Sequence, residues 1–328
     1  MNKKRQRKEN KTKNSKTEKD KNSDDDEDSN NYNINNAKKN LFNCVFIFSC
    51  ILPEYFLMIK NLIQPNFIFE SISLNGLTDL IISMREDVGT TLKIENDDEN
   101  KIFGVFTLIP FNFFKEKNPV VNQILDMLYS KIQNLKKNDI KSSIINILKN
   151  KKNSILINER FINLPEELVP PALNFVINEI DECIEIVNDK SNKNISLEEK
   201  NKYNLDYIII YSRYVIKENK EKEDKNNDDI NKMDIDDNKY INIVIKENNN
   251  KKMKLEKGND IVYYKYETEY FLKKADYSFD YKLTGGIYDS SCNYINPNNN
   301  EIQYMKIIFI KFNKFYEVIH ELNYKSFE

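Results

Sequence analysis

The order of apolar patterns along the chain constrains its fold more than any other feature. Up to about residue 187, short runs rich in β-branched and aromatic residues alternate with segments whose apolar residues recur every three or four positions. These are the periods of strands and helices. From Asp206 onward, long β-rich runs dominate. Early alternation followed by late strand pairing predicts a single α/β domain over residues 41–328, with a mixed central sheet flanked by helices.

The same patterns predict the individual elements. Predicted strands are Asn43–Phe48, Lys101–Ile109, Ser154–Asn158, Asp206–Ile216, Ile261–Phe271, Tyr277–Leu283 and Gln303–Phe312. Predicted helices follow Pro53 and an N-cap at Asn75, form two stripes between Val121 and Leu148, follow Pro170-Pro171, and end the chain with Phe315, Ile319 and Leu322.

Polar segments lie before and within this domain. Residues 1–40 have almost no apolar side chains, so burial cannot offset their ordering entropy and we expect a disordered tail. Three insertions rich in Asn, Lys and Asp lie near residues 188–205, 217–260 and 287–301. We expect these insertions to be surface loops without an assigned role.

The tail carries two blocks of opposite charge, although the whole chain nearly cancels at −2. The first is a basic arm with Lys3, Lys4, Arg5, Arg7 and Lys8, which we interpret as a nuclear import signal or, alternatively, as solubilising charge. The second is an acidic block that could face a basic client: Asp24, Asp25, Asp26, Glu27 and Asp28. Ser23 directly precedes this block and is a candidate phosphorylation site.

Several classes of protein are disfavoured by composition. The four cysteines include no CxxC pair and there is one histidine, so no metal is expected; Cys44 and Cys50 are expected to be buried free thiols. A charged N-terminus disfavours a secretory signal. The apolar segment 41–63 is interrupted by Pro53, Glu54 and Lys60, which favours a strand and an amphipathic helix over a membrane span.

Catalytic patterns are also scarce. There is no GxxxxGK[ST] or GxGxxG loop, and Gly285-Gly286 fits a turn. His320 lies in a helical pattern and is expected at the surface or half-buried, and the Glu166-Glu167 and Glu198-Glu199 pairs suit helix starts. No cofactor or small-molecule substrate is expected.

Tyrosines at 263, 264, 266 and 270 could stack nucleic-acid bases, but half-buried sheet tyrosines need no ligand. We therefore expect no specific nucleic acid, and only nonspecific contact by the basic arm.

The segment SILINERFINLPEEL, residues 154–168, is the most specific sequence motif in the chain. It contains a strand, a charged corner, an apolar anchor expected to be buried, and a proline-led helical turn. It resembles the signature of the BCCIP family, carried here by Glu159, Arg160, Phe161, Ile162, Asn163 and Pro165. LTDLIISMREDVGTTL from Leu77, IFGVFTLI from Ile102, the Tyr207–Ile210 run and YYKYETEYFLKKADYSFDY from Tyr263 resemble further family blocks in the same order.

The resemblance implies an α/β fold akin to GNAT acyltransferases, without acetyltransferase activity. It also implies a nuclear protein that shuttles to the cytoplasm, chaperones a large-subunit ribosomal protein (universal L-fourteen) and supports nuclear export of protein cargo. The alternatives are a recombination or cell-cycle adaptor and, from a different class, a GNAT-type N-acyltransferase. The chain lacks the R/Q-x-x-G-x-G/A turn that would hold acyl-coenzyme A. Its NCVFIFSCILPEYF segment also departs from the family pattern.

The role of the signature residues stays open between two interpretations. Glu159, Arg160, Phe161 and Asn163 could contact a client, or they could fix the corner between a strand and the following helix.

Overall fold

A computed structural model describes residues 44–67, 70–149, 152–189, 191–192, 195–218, 259–283, 287–288, 294–295 and 303–325. Its strands are β1 Phe46–Ser49, β2 Thr90–Ile94, β3 Ile102–Pro110, β4 Asn153–Arg160, β5 Tyr207–Glu218, β6 Asn259–Tyr263, β7 Tyr277–Lys282, β8 Ile287–Tyr288, β9 Tyr294–Ile295 and β10 Gln303–Lys311. Its helices are α1 Phe56–Phe67, α2 Leu74–Ser83, α3 Phe111–Phe114, α4 Pro119–Gln133, α5 Asn138–Lys149, α6 Val169–Asn188, α7 Leu197–Lys200, α8 Thr268–Lys274 and α9 Phe312–Lys325.

Eight strands form one mixed sheet in the order β1-β2-β3-β4-β5-β10-β7, and β6 also pairs with β5. Every pairing in this sheet is antiparallel except β4 with β5. The parallel pair needs a long connection, which α6 and α7 supply. The predicted α/β fold with a mixed sheet flanked by helices is therefore confirmed, whereas the GNAT likeness stays a prediction.

Side chains alternate between the two faces of the sheet along each strand. Both faces are apolar and both are covered by helices. On the face that carries Tyr211, the ring of Phe67 in α1 lies 4.7 Å from the Tyr211 ring. On the opposite face, Phe175 of α6 stacks against Phe48 at 6.1 Å. The core is thus a three-layer sandwich of helix, sheet and helix.

The clearest helix prediction is confirmed by α6, which begins with prolines in its first turn and buries Leu173, Val176, Ile177 and Ile180. Proline suits this position because the first helical N–H groups have no partner within the helix. None of the described helices is long and apolar enough to span a bilayer.

Other local predictions were wrong. Ser73, not Asn75, caps α2, because its hydroxyl accepts from the Gly76 N–H at 3.1 Å. The short strand β2 was absent from the predicted elements. The predicted strand Ile261–Phe271 ends at Tyr263 and is followed by a turn and α8.

The proposed surface insertions also contain ordered structure. Within 188–205, α7 has a capping box between Ser196 and Glu199, and Tyr203 is buried at 5% exposure. Lys202 pairs with Asp87 and lies over the Phe113 ring, which ties this segment to the domain. Within 287–301, β8 pairs with β9. Residues 219–258 lie outside the described part of the chain.

Candidate functional site

The crevice between β4 and β5 lies where α/β sheets commonly bind ligands. The two strands pair in parallel only over Asn153–Ile155 and Tyr207–Ile209, and beyond these residues they no longer pair. In open α/β sheets, ligands bind in crevices outside the carboxyl ends of parallel strands. The signature residues Glu159 and Arg160 lie at the carboxyl end of β4, so the sequence motif and the crevice coincide.

The chain itself fills this crevice with residues 264–268, which we call the plug segment. It follows β6 and remains attached to β5, since the Tyr264 N–H donates to the Arg213 carbonyl at 3.1 Å. At its other end, the Thr268 and Ser212 hydroxyls are 2.7 Å apart in a buried hydrogen bond. The small cavity that remains is lined partly by Leu156, Ser212 and Phe271.

A bidentate ion pair fixes the plug segment on one face of the sheet. The two terminal nitrogens of Arg160 donate to the two carboxylate oxygens of Glu267, each at 2.8 Å. The Asn158 amide also donates to Glu267, at 2.7 Å. Glu267 is 1% exposed. Burial alone would raise the pKa of Glu267, but Arg160 outweighs it and the pKa is lowered.

A second ion pair fixes the plug segment on the other face. Glu159 points opposite to Asn158 and Arg160 because neighbouring strand residues alternate, and its carboxylate accepts from the Lys265 ammonium at 2.6 Å. Glu159 is 4% exposed. Burial lowers the pKa of Lys265, and Glu159 partly offsets that effect. Two ion pairs, one on each face of the sheet, therefore hold the plug segment in the crevice.

The next signature residue points outward. Phe161 is 37% exposed, so the expectation that it is buried was wrong, and Ile162 is only half-buried. The Phe161 ring lies 6.0 Å from the ring of Phe103, which lies 6.2 Å from Phe46. Asn163 and Pro165 are exposed and lead into a short 3-10 helix at Glu166–Leu168, as the proline-led turn predicted.

A second resembling block, around Val88-Gly89, meets α6. The Gly89 N–H donates to the buried Glu179 carboxylate at 2.6 Å, and the Thr107 hydroxyl donates to the Val88 carbonyl at 2.6 Å. Gly89 has φ +151°, and an added Cβ would lie 2.6 Å from the Ile51 side chain. Glycine is required here for both backbone conformation and space. This block supports the fold.

The remaining predicted residues separate into described and undescribed ones. His320 is exposed, as predicted; Cys44 is exposed and Cys50 half-buried, so their predicted burial was wrong. No cluster of three or more metal-ligating side chains occurs in the described ranges. Outside those ranges lie Cys292, Gly285-Gly286, the basic arm (Lys3, Lys4, Arg5, Arg7, Lys8), Ser23 and the acidic block (Asp24, Asp25, Asp26, Glu27, Asp28).

Sequence reasoning missed Lys265 and Glu267, the partners of the signature. Lys265 is 106 positions from Glu159, and Glu267 is 107 positions from Arg160. The available signal was the charge pattern, because the run YYKYETEYF places charged residues inside an otherwise β-rich segment. Two blocks of family resemblance, one from Ser154 and the other from Tyr263, thus meet in the crevice.

Comparisons with known proteins agree with these blocks. The family model described as BCCIP matches residues 41–271. Protein bcp-1 of Neurospora crassa is 31% identical over 115 residues, covering 34% of this chain and 38% of that protein. Protein BCCIP homolog of Drosophila melanogaster is 26% identical over 137 residues, covering 38% of this chain and 46% of that protein. The chain thus matches less than half the length of either relative.

Among solved structures, a crystal structure of BCP1 from Saccharomyces cerevisiae covers 89% of this chain and 93% of its own, with 17% identity and a TM-score of 0.49.

Proposed function

Because this chain belongs to the BCCIP family, we propose that it is a non-catalytic nuclear adaptor that binds client proteins. The observation that carries the proposal is the filled crevice. Open α/β sheets hold small ligands in a crevice of this kind. Here the crevice is occupied by two ion pairs within the chain, Glu159 with Lys265 and Arg160 with Glu267. These charged groups are engaged in holding the fold and are unsuited to act on a substrate.

The finer proposal is that the client is a large-subunit ribosomal protein, the universal L-fourteen, and that the chain also supports nuclear export of protein cargo. The family resemblance supports this assignment. The acidic block from Asp24 to Asp28 supports it further, because it could screen a client's basic surface at distances below about 8 Å at physiological salt. The basic arm from Lys3 to Lys8 would supply nuclear import, with shuttling to the cytoplasm.

The test is affinity purification of the tagged full chain from nuclear extract at moderate salt. We expect enrichment of the ribosomal protein without the other proteins of mature ribosomes. Recovery of recombination or cell-cycle proteins in its place would favour that adaptor role. If neither group is enriched over an untagged control, the adaptor function is rejected. Coenzyme A binding detected by calorimetry would instead revive the acyltransferase alternative.

A further inference from the structure

Three phenylalanine rings form a continuous half-exposed surface beside the first strand. Phe46 meets Phe103 edge-on at 87°, and Phe103 meets Phe161 at 61°. Edge-to-face contacts of this kind hold aromatic rings in fixed positions. We call Phe46, Phe103 and Phe161 the aromatic ridge.

The open edge of β1 borders this ridge. Among the described strands, only β2 pairs with β1. The Glu95 N–H donates to the Val45 carbonyl at 2.8 Å. Because hydrogen-bonded and non-bonded pairs alternate in an antiparallel ladder, the N–H and C=O groups of Phe46 and Phe48 point away from β2. This edge offers backbone groups on which an added strand could pair.

The turn next to this edge is acidic. Residues 95–101 contain Glu95, Asp97, Asp98 and Glu99 against Lys101, four acids and one base, for a net charge of −3. Asp97 accepts from the Glu99 and Lys101 N–H groups and so shapes the turn. Asp98 and Glu99 are exposed, and Glu99 also pairs with Lys101. Glu166 and Glu167, exposed in the turn after Phe161, add further negative charge beyond the ridge.

We propose that the aromatic ridge and the open edge of β1 bind a basic, apolar, extended segment of a client protein, which adds to the sheet as a strand. This inference rests on the proposed function, which supplies the client. Apolar side chains of the added strand would contact the ridge, and its alternate basic side chains would face Asp98 and Glu99. Main-chain pairing provides affinity in this recognition mode, and side-chain pockets provide specificity.

The direct test measures fluorescence anisotropy of a labelled peptide of alternating Lys and Val, titrated with the full chain. Truncating an aromatic anchor at an interface is costly, so we expect Phe161→Ser to weaken binding at least about tenfold. The matched control is Leu197→Ser in α7, which is 75% exposed. Leu197 is four residues before Asn201, whose carbonyl accepts a hydrogen bond from the Asn112 side chain. Asn112 follows the end of β3, whereas Phe103 of the ridge lies near the start of that strand. We expect the control to bind as the unmodified chain does.

Charge and folding are tested separately. The double variant Asp98→Asn with Glu99→Gln should weaken Lys/Val binding, and a Glu/Val peptide should not bind. Denaturation curves establish that each variant folds. Equal binding by the Phe161 variant and the unmodified chain, or equal binding of the two peptides, overturns the proposal.

Hydrogen exchange identifies the occupant. We expect the amides of Phe46 and Phe48, which point away from β2, to exchange freely in the chain alone and to become protected when the Lys/Val peptide binds. Protection that is already present, and that disappears when Lys3, Lys4, Arg5, Arg7 and Lys8 are replaced by Ala, would assign the edge to the chain's own basic arm and overturn the proposal. Protection that grows with protein concentration would assign it to a second copy, with the same consequence.

Affinity purification with the same variant separates this inference from the proposed function. Clients recovered equally by the unmodified chain and by Phe161→Ser would retain the adaptor function and reject the ridge. Failure to recover any client with the unmodified chain would reject the adaptor function, while the peptide titration would still decide whether the ridge binds basic strands.

Discussion

The chain buries two ion pairs on the same face of its sheet, Arg160 with Glu267 in the crevice and Lys306 with Asp280 across β10 and β7. All four side chains are nearly inaccessible to water. The pKa of Glu267 is nevertheless lowered, whereas the pKa of Asp280 is raised. The two pairs therefore differ in how completely their partners compensate for the loss of hydration.

Geometry explains the difference. Glu267 receives two parallel hydrogen bonds from a guanidinium and a third from Asn158, and such bidentate contacts are the strongest that a carboxylate makes. The Asp280 carboxylate accepts a hydrogen bond of 2.7 Å from the Lys306 ammonium. An ammonium is a compact charge without the fork geometry of a guanidinium. Burial therefore dominates at Asp280 and raises its pKa. A buried ion pair stabilises the fold only when the remaining lone pairs are also satisfied.

The largest expected effect comes from breaking the compensated pair. Arg160→Met removes the bidentate partner of the buried Glu267 carboxylate and leaves it the hydrogen bond from Asn158, and removing one partner of a buried pair costs about 3–5 kcal/mol. We expect a loss of this size in the free energy of unfolding, measured by urea denaturation. Lys274, whose side chain is 33% exposed and pairs with the exposed Glu317 and Glu321, gives the control: Lys274→Ala should leave the denaturation curve unchanged.

A double variant sharpens this first prediction. Arg160→Met combined with Glu267→Met removes both charges and should recover most of the loss. If the single Arg160 variant is as stable as the unmodified chain, the ion pair does not hold the plug segment in the crevice.

The second effect is smaller and concerns the other pair. Lys306→Met leaves the Asp280 carboxyl without its ammonium partner, but burial already raises the pKa of Asp280 whereas the pKa of Glu267 is lowered, so Asp280 takes up a proton at lower cost than Glu267 does. An unsatisfied neutral group costs about 1–3 kcal/mol, so we expect a smaller decrease in the free energy of unfolding than for Arg160→Met. The same urea experiment measures it. A loss equal to or larger than that of Arg160→Met would contradict the proposed difference in compensation.

The two pairs also show how far sequence reasoning reaches. Periodicity predicted α6, whose buried residues recur on one face, and apolar runs predicted β4 and β10, which are buried on both faces. The run from Ile261 to Phe271 was predicted as one strand, since its aromatic residues favour β structure. The fold instead needs Lys265 and Glu267 in the crevice, so tertiary pairing overrides local propensity. Similarly, Phe161 looks like a core residue within its own segment, but its ring contacts Phe103 of β3 and remains 37% exposed.

The smallest effect is the pH dependence of the two carboxyl groups, which should have opposite signs. Because the pKa of Glu267 is lowered by folding, the unfolded chain takes up its proton first as the pH falls below about 4.3, so this group makes the free energy of unfolding decrease in acid. Because the pKa of Asp280 is raised, the folded chain takes up its proton first above about 3.9, so this group makes the free energy of unfolding increase as the pH falls.

Urea denaturation between about pH 3 and about pH 7 separates the two contributions, since each amide variant removes one titrating group. Glu267→Gln should lessen the acid-induced decrease in the free energy of unfolding, and Asp280→Asn should deepen it. Each variant is compared with the unmodified chain at the same pH, so that contributions of the other carboxylates cancel. If both variants change the pH profile in the same direction, the two pairs are compensated alike. The difference between Arg160 and Lys306 as partners then does not determine the direction of the pKa shifts of Glu267 and Asp280.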